Sequence, residues 1–202
     1  ENYDEAAKHL QLANKNKLIV FPSNANSLQQ EIGNNLSHFD PAETTIINTN
    51  SGKDRIFIVG MPRSGSTLLE TILSMSLEIK DLGESRSLQK AIAKIKQQKG
   101  CDSDHQNLNE IYSQMEPINS THFKYTTDKN LYNFIYINWI TSHMPAAKII
   151  HCRRNPMDNI LSMHRYKLTA GNNYTSKLED AAKVLIEHEN IMQIQKKRHP
   201  KK

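Results

Sequence analysis

The sequence predicts an α/β protein in which helices cover both faces of a parallel central sheet, giving three α/β/α layers. Two short apolar runs carry this prediction, Arg55–Val59 and Ala147–His151, because each has the length and bulk of a buried strand. Stretches with helical spacing lie between and after them, and strands that alternate with helices form parallel sheets. Two strands are too few for a complete sheet, so we expect further elements beyond Lys202.

The chain before the first strand divides into a helix and a linker. Residues 3–17 place small and apolar side chains on one face at helical spacing, namely Tyr3, Ala6, Ala7, Leu10 and Ala13. Residues 18–52 are rich in Asn, Ser and Thr, which indicates a linker with short elements. We therefore expect a helical segment over residues 1–20, a linker over 21–52 and the main domain over 53–202.

Six helices are predicted after the first strand. They cover Ser66 to about Leu77, Arg86–Gln98, 104–116, Asn130–His143, a stretch that opens at Asn155-Pro156, and Ser176–Lys197. Lys99-Gly100 is a normal helix end, and Asp104 is a candidate N-cap. Pro156 suits a first helical position, and Ser176 with Glu179 predicts a capping box.

Composition excludes several classes of protein. Hydrophobic residues make up 37% and charged residues 23% of the chain, which is typical of a globular protein. No run of about 18 apolar residues is present, so no membrane-spanning helix is expected. Residues 1–20 lack the apolar centre of a signal peptide. Cys101 and Cys152 make no disulfide framework, which favours a reducing compartment and a cytoplasmic location.

The net charge of +5 is concentrated partly at the C-terminal end. The cations there are Lys196, Lys197, Arg198, Lys201 and Lys202. We interpret them as a solvated helix end rather than a nucleic-acid patch. The remaining positive charge suits a small polyanionic ligand.

The first strand leads into a loop with the Gly-x-x-x-x-Gly spacing of a Walker A motif, from Gly60 to Thr67. Such a loop makes an anion site, because the backbone N–H groups at the following helix N-terminus are unpaired and partly positive. Ser66 stands where ATP- and GTP-binding loops carry Lys, and Arg63 supplies a cation from inside the loop. The loop therefore predicts a phosphate-like ligand without ordinary Mg-ATP chemistry.

Arg154 and Ser162 form a second candidate anion site. Arg154 follows the second strand, and open α/β sheets bind ligands at such strand ends. Ser162 lies eight residues later, two turns into the next helix, so a guanidinium and a hydroxyl can converge on one phosphate. His151-Cys152-Arg153 occupies the place of a Walker B Asp, which argues against NTP hydrolysis.

Two motifs, Gly60-Met-Pro-Arg-Ser-Gly-Ser-Thr-Leu68 and Cys152-Arg-Arg-Asn-Pro-Met-Asp-Asn-Ile-Leu-Ser162, carry a family resemblance. They resemble the 5′-phosphosulfate loop and the 3′-phosphate motif of sulfotransferases that use 3′-phosphoadenosine 5′-phosphosulfate (PAPS). The resemblance covers about residues 53–200 and implies a P-loop NTPase-like fold. It is strongest to the bacterial sulfotransferases that follow tetratricopeptide repeats and to the protein-tyrosine sulfotransferases.

The same resemblance implies how the chain is organised. The first 17 residues resemble the closing helix of a tetratricopeptide array. Full sulfotransferase domains continue past the last predicted helix into another strand and a loop over the nucleotide. The resemblance therefore implies a domain that is truncated at its C-terminal end.

The resemblance also implies the ligands of the co-substrate. The 5′-phosphosulfate would be held by Arg63, Ser64, Gly65, Ser66 and Thr67. The 3′-phosphate, which distinguishes PAPS from simpler adenine nucleotides, would be held by Arg154 and Ser162.

Three residues are implied as catalytic. Glu84 would be the general base for the acceptor hydroxyl. Lys129 would stabilise charge on the leaving phosphate oxygen, and Arg63 would face the bridging and sulfonate oxygens. Asn130 stands where small-molecule sulfotransferases have a catalytic His, and this favours Glu84 as the base.

No metal is expected. The nine histidines show no metal-ligand spacing, and we interpret His188 and His199 as helix-surface residues. A sulfonate carries less charge than a phosphoryl group, so Arg63, Lys129 and helix dipoles can stabilise the transfer.

Two other functions stay open, a P-loop nucleotide kinase or NTPase and a non-catalytic module that binds nucleotide and peptide. The acceptor is also open. The repeat-like start favours a peptide or protein, whereas a glycan or lipid-linked hydroxyl stays open as the alternative.

Overall fold

The structure is a computed structural model that describes residues 2–37, 49–98, 107–116, 122–168 and 171–200. Its described residues form four strands, β1 (Arg55–Gly60), β2 (Ile79–Asp81), β3 (Tyr125–Asp128) and β4 (Lys148–Cys152). All neighbours pair in parallel, in the order β2-β3-β1-β4. The predicted α/β architecture with a parallel sheet is therefore confirmed.

The sheet brings the ends of three strands to one edge. Gly60 at the end of β1 pairs with Cys152 of β4, and Phe57 pairs with Asp128 at the end of β3. Loops that follow these strands consequently leave the sheet on the same side, where ligands bind in open α/β folds.

Helices surround this sheet. They are α1 (Tyr3–Val20), α2 (Ala25–Ser37), α3 (Ser66–Ser74), α4 (Ser87–Gln98), α5 (Leu108–Met115), α6 (Ile137–His143), α7 (Pro156–Arg165) and α8 (Leu178–Arg198). Two 3₁₀ helices occupy Leu131–Tyr136 and Asn173–Ser176. No helix of the described chain is long and apolar enough to cross a membrane.

The first helix forms as predicted, but its expected packing face is exposed. Tyr3 is 74% exposed, and Asn14 is the buried residue of α1. The amide of Asn14 donates to the backbone oxygen of His164 at 3.1 Å, which fastens α1 to the end of α7.

The second helix, Ala25–Ser37, lies within the segment 21–52 that was predicted to be a linker, of which residues 38–48 fall outside the described chain. Ala25, Leu28 and Ile32 are buried at helical spacing and join the main hydrophobic core. Asn24, just before the helix, donates to the backbone oxygen of Gly171 at 2.8 Å. The high Asn and Ser content concealed this helix, because its apolar side comprises few residues.

The C-terminal helix begins later than predicted, and the capping box is wrong. α8 starts at Leu178, and Ser176 ends the preceding 3₁₀ helix. Burial explains the difference, because Tyr174 is fully buried and the 3₁₀ bonds of this segment keep it in the core. The cations Lys196, Lys197 and Arg198 lie in the last turn, where they complement the helix dipole.

Other predicted helices need smaller corrections. The stretch Asn130–His143 divides into a 3₁₀ helix and α6, and α3 ends at Ser74 rather than near Leu77. Asn107 caps α5, while Asp104 and Lys99-Gly100 lie outside the described residues. Asn155 caps α7 and Pro156 is its first residue, as predicted.

Candidate active site

The loop between β1 and α3 has the geometry of an anion cradle. Its backbone reaches positive φ at Gly60 (153°), Arg63 (67°) and Gly65 (99°). A Cβ on Gly60 would lie 2.6 Å from the backbone oxygen of Cys152, so β1 and β4 approach too closely there for any side chain. A positive φ is strained for Arg63, and such strain concentrates at ligand sites.

Polar groups in this loop are available to a ligand. Gly65 precedes α3 and offers no side-chain cap, so the first backbone N–H groups of the helix are open. Ser66 is buried and Thr67 exposed. The hydroxyl oxygen of Ser64 is buried and has no hydrogen-bond partner among the described residues. An oxyanion placed here would satisfy these donors.

The second motif contacts the loop directly. Arg63 Nε donates to Ser162 Oγ at 3.4 Å, and Arg154 Nη1 donates to the backbone oxygen of Arg63 at 3.3 Å. Arg154 is exposed and Ser162 half-buried, so both are accessible. Two guanidinium groups and a hydroxyl therefore meet beside the loop, although they lie 91 and 99 residues apart in the chain.

Two further residues shape this cluster. The Tyr166 ring lies under the Arg63 guanidinium, 4.2 Å from it. Asn159 is buried and donates to the backbone oxygen of Pro62 at 2.8 Å, which ties α7 to the loop. Neither residue was predicted, because the contacts depend on folding rather than on a local motif.

The predicted base and cation also lie together. Lys129 Nζ donates to Glu84 Oε1 at 3.1 Å. The Lys129 side chain is 7% exposed, whereas that of Glu84 is 70% exposed. A buried ammonium that points at an accessible carboxylate suits a site where a proton is taken from an incoming group.

Glu70 completes this cluster and was missed from the sequence. Its carboxylate lies 3.9 Å from Lys129 Nζ and accepts from Thr127 Oγ1 at 3.2 Å. Burial raises the pKa of Glu70, and the positive charge of Lys129 partly opposes this rise. A single Glu in the apolar helix Ser66–Ser74 was the available signal, since an acidic side chain is unusual on a buried face.

The backbone fixes the base beside the cation. Leu82 N donates to Thr127 O and Lys129 N donates to Gly83 O, both at 2.8 Å. Asn130 Nδ2 donates to Ser85 O at 2.8 Å. The loop that carries Glu84 is thus held along the end of β3, with Gly83 at φ 60° to make the turn.

Asp128, the last residue of β3, stabilises the same strand end through hydrogen bonds. It accepts hydrogen bonds from Tyr112 Oη (2.9 Å), Asn130 N (3.0 Å) and Asn133 Nδ2 (3.1 Å). Burial raises the pKa of Asp128 to about 6 despite these bonds. Its side chain positions the turn that presents Lys129.

Helix α3 links the two clusters. Ser66 lies at its N-terminus in the anion loop, and Glu70 lies four residues later beside Lys129. Positions four apart on a helix share one face about 6 Å apart. The cation of the second cluster therefore lies about one helical turn from the anion loop.

A polar pocket opens against Glu84. Its volume is about 390 Å³. Helix α2 contributes Ser27, Leu28 and Glu31, and Asn172 and Tyr132 line another side. Tyr132 Oη donates to Asn172 Oδ1 at 2.6 Å, which fixes that side of the pocket.

One group of side chains in the described residues could hold a metal ion. It comprises His151, His188 and Glu189, whose ligand atoms lie within 4.8 Å of one another. The prediction that His188 lies on the helix surface is wrong, because it is 1% exposed. Sequence spacing could not show this group, since β4 supplies one member and α8 the other two.

With this geometry in place, comparison with known proteins identifies the family. The sequence matches the family model for the sulfotransferase domain over residues 53–195. The chain belongs to the sulfotransferase family. The match begins just before β1 and runs to the last turns of α8, so it includes both anion motifs and the Glu84–Lys129 pair.

A relative of this chain occurs in Aquifex aeolicus (strain VF5). It is an uncharacterized protein that is 30% identical over 135 residues. The alignment spans 58% of this chain and 18% of the relative, so the chain corresponds to a small part of that protein.

Proposed function

We propose that this sulfotransferase moves a sulfonate group from PAPS to an acceptor hydroxyl. The observation that carries the proposal is the meeting of two anion sites, because Arg63 and Arg154 lie together while α3 leads from the loop to Lys129. PAPS carries a 5′-phosphosulfate and a 3′-phosphate on one nucleoside. Two adjoining groups of cations and hydroxyls, one in the loop after β1 and one after β4, suit a nucleotide that carries anions at both its 5′ and its 3′ positions.

The 5′ side of PAPS would lie in the loop at α3. Backbone N–H groups there, with Ser64, Gly65, Ser66 and Thr67, would hold the phosphosulfate oxygens. Arg154 and Ser162 would hold the 3′-phosphate. Arg63 now donates to Ser162, so it can serve either anion.

In the transfer step, Glu84 would take the proton of the acceptor hydroxyl as its oxygen attacks sulfur. The new oxygen–sulfur bond forms as the bond from sulfur to the phosphate oxygen breaks. Adenosine 3′,5′-bisphosphate then leaves. Lys129 and Arg63 would stabilise the charge that develops on the departing oxygen, a role that needs no metal ion.

The pocket against Glu84 is the proposed acceptor site. Its lining is mainly amide, hydroxyl and charged groups, including Glu31, Arg86 and Gln89. A hydroxyl on a peptide or a glycan could reach Glu84 from this side. The resemblance of α1 to the closing helix of a tetratricopeptide array favours a peptide or protein acceptor. The lack of a disulfide framework in the sequence favours a cytoplasmic enzyme.

A kinase or NTPase is the second candidate, and β3 bears on it directly. This strand, which the sequence analysis missed, lies next to β1 and ends on Asp128. Asp128 stands at the place of a Walker B acid, so the prediction from His151-Cys152-Arg153 that a strand-end acid is lacking is wrong. The Asp128 carboxylate is 1% exposed and already accepts three hydrogen bonds. It is thereby engaged in the core, and Ser66 still replaces the Walker Lys.

A non-catalytic nucleotide-binding module is the third candidate. Such a module has no need of a buried Lys129 beside an exposed Glu84. Burying the Lys129 ammonium costs solvation free energy. Such buried charges with an accessible partner are found mainly where they act on a substrate.

Two variants separate these candidates, with PAPS turnover and binding of adenosine 3′,5′-bisphosphate as readouts. Arg63→Ala should weaken nucleotide binding. Glu84→Gln should retain binding but lower transfer by about 100-fold or more, because it removes the base without changing shape. A panel of tyrosine peptides and oligosaccharides serves as acceptor, and the exposed Glu110→Gln serves as the matched control. Equal losses of binding in both variants would contradict the role of Glu84.

A further inference from the structure

The side of the sheet where β4 packs against α8 holds polar groups that sulfonate transfer does not use. His151 points from β4, and His188 and Glu189 are consecutive residues of α8. Glu189 Oε1 lies 3.9 Å from His151 Nε2 and 3.5 Å from His188 Nδ1. A tetrahedral zinc ion with bonds of about 2.1 Å needs ligand atoms about 3.4 Å apart, so small side-chain shifts would close this set.

The imidazoles have unused nitrogen atoms in the interior. His188 is 1% exposed, and neither of its ring nitrogens has a hydrogen-bond partner in the described chain. His151 Nε2 is also buried and unpartnered among those residues. Buried polar atoms are nearly always satisfied, so two histidines that face one carboxylate without hydrogen bonds indicate a missing ligand.

The rings are held in place for such a ligand. His188 packs edge-on against Phe134, with ring centroids 4.7 Å apart, and against His151 at 5.0 Å. Burial lowers the pKa of both imidazoles.

The ligand types and the orientation of the carboxylate decide which ion would fit. Arg153 Nε contacts Glu189 Oε2 at 2.9 Å, which orients the carboxylate and leaves Oε1 facing the imidazoles. Lys196 lines the same region. Two imidazole nitrogens with one carboxylate oxygen favour Zn²⁺ and similar ions over Mg²⁺ and Ca²⁺, which bind mainly through oxygen ligands.

An open side is also present. A cavity of about 430 Å³ adjoins the group and is lined by His151, Glu189 and Lys196, with His199 and Gln193 nearby. It gives an ion a path of entry and room for a water or small anion as the fourth ligand.

We propose that His151, His188 and Glu189 form a binding site for a divalent transition-metal ion of the zinc class. The site belongs to the β4–α8 packing and is separate from the Glu84–Lys129 pair. A bound ion would hold α8 against the sheet. Because Arg153 contacts Glu189, a bound ion would also restrict the position of Arg153 and of the neighbouring Arg154.

Titration calorimetry of the chelator-treated chain with ZnCl₂ tests this proposal. We expect one saturable Zn²⁺ per chain, with affinity at least about 10-fold weaker in His151→Ala and in Glu189→Gln. The Gln amide can still accept from Arg153 but is a poor zinc ligand, so this variant decides the matter if His151→Ala fails to fold. The exposed His9→Ala is the matched control and should bind as the wild type does.

Co²⁺ gives an independent readout, because its visible spectrum reports ligand type and geometry. A tetrahedral or five-coordinate spectrum that is lost in Glu189→Gln would support the site. The neighbouring thiol is the rival ligand, so Cys152→Ser should leave the spectrum unchanged. Absence of saturable binding to the wild type, or binding that persists unchanged in Glu189→Gln, would overturn the proposal.

Discussion

At the scale of single residues, the candidate site depends on Lys129 and Asp128, two adjacent buried side chains whose hydrogen-bond partners differ in charge. Lys129 is paired with Glu84 and Glu70, whereas Asp128 is surrounded by neutral donors. Neutral donors do not fully offset the burial of a carboxylate, and this explains why the pKa of Asp128 rises to about 6.

The raised pKa of Asp128 predicts a pH dependence of stability. The folded state holds the proton more tightly than the unfolded state, whose pKa is about 3.8. The contribution of Asp128 is therefore most favourable below pH 4 and is lost as pH rises through 6, a change of about 3 kcal/mol. Chemical denaturation of the wild type and Asp128→Asn across pH 4–7 measures it.

The relevant quantity is the difference between the two free energies of unfolding, because other titrating groups cancel in it. The free energy of unfolding of the wild type should fall relative to that of Asp128→Asn as pH rises from 4 to above 6. A difference that stays constant over this range would show that Asp128 ionises normally in the folded protein.

The sequence could predict those site residues that belong to recognisable motifs. Arg63, Arg154 and Ser162 were predicted because they belong to motifs, and the structure brings them together. Glu70 and His188 were not, because a lone Glu or His on a helix carries no sign of what it faces after folding. Their surroundings come from β3 and β4, which are distant in sequence.

At the scale of elements, helix α2 lies within the segment predicted to be a linker. It packs into the hydrophobic core and lines the pocket at Glu84. The same helix buries Ile32 and presents Glu31 to that pocket. Strands β2 and β3 were also missed from the sequence, because they contain few apolar residues. β3 reads Tyr-Thr-Thr-Asp, and its burial results from neighbouring strands rather than from apolar residues.

Truncation of Ile32 tests whether α2 is part of the domain. Ile32→Ala should lower the free energy of unfolding by about 2–4 kcal/mol, because it leaves a cavity under the helix. Gln30→Ala on the exposed side of α2 is the control and should stay within about 0.5 kcal/mol of the wild type. Urea denaturation compares them. An unchanged stability in Ile32→Ala would mean that α2 does not pack as described.

The turn at the end of β1 has its own test. Gly60→Ala should destabilise the protein by more than about 1 kcal/mol and weaken nucleotide binding, since its Cβ would press on the backbone of Cys152. Gly33→Ala in α2 is the matched control. A Cβ there meets nothing within 4 Å, so the helix should gain up to about 1 kcal/mol. If both variants gained stability, the close approach of β1 and β4 would be wrong.

At the scale of the whole molecule, the parallel sheet brings distant motifs to one edge. The loop after β1, the turn after β3 and the chain after β4 each supply part of the candidate site. The family match includes all three, over residues 53–195. The central claim is that this edge binds a nucleotide with phosphate groups at both its 3′ and its 5′ positions.

Calorimetry of adenosine 3′,5′-bisphosphate against ADP tests that claim most directly. A charged hydrogen bond from Arg154 to the 3′-phosphate should give the bisphosphate an affinity about 10- to 100-fold higher than that of ADP. Arg154→Ala should remove this preference while ADP binding changes little. Equal affinities for the two nucleotides in the wild type would contradict the account.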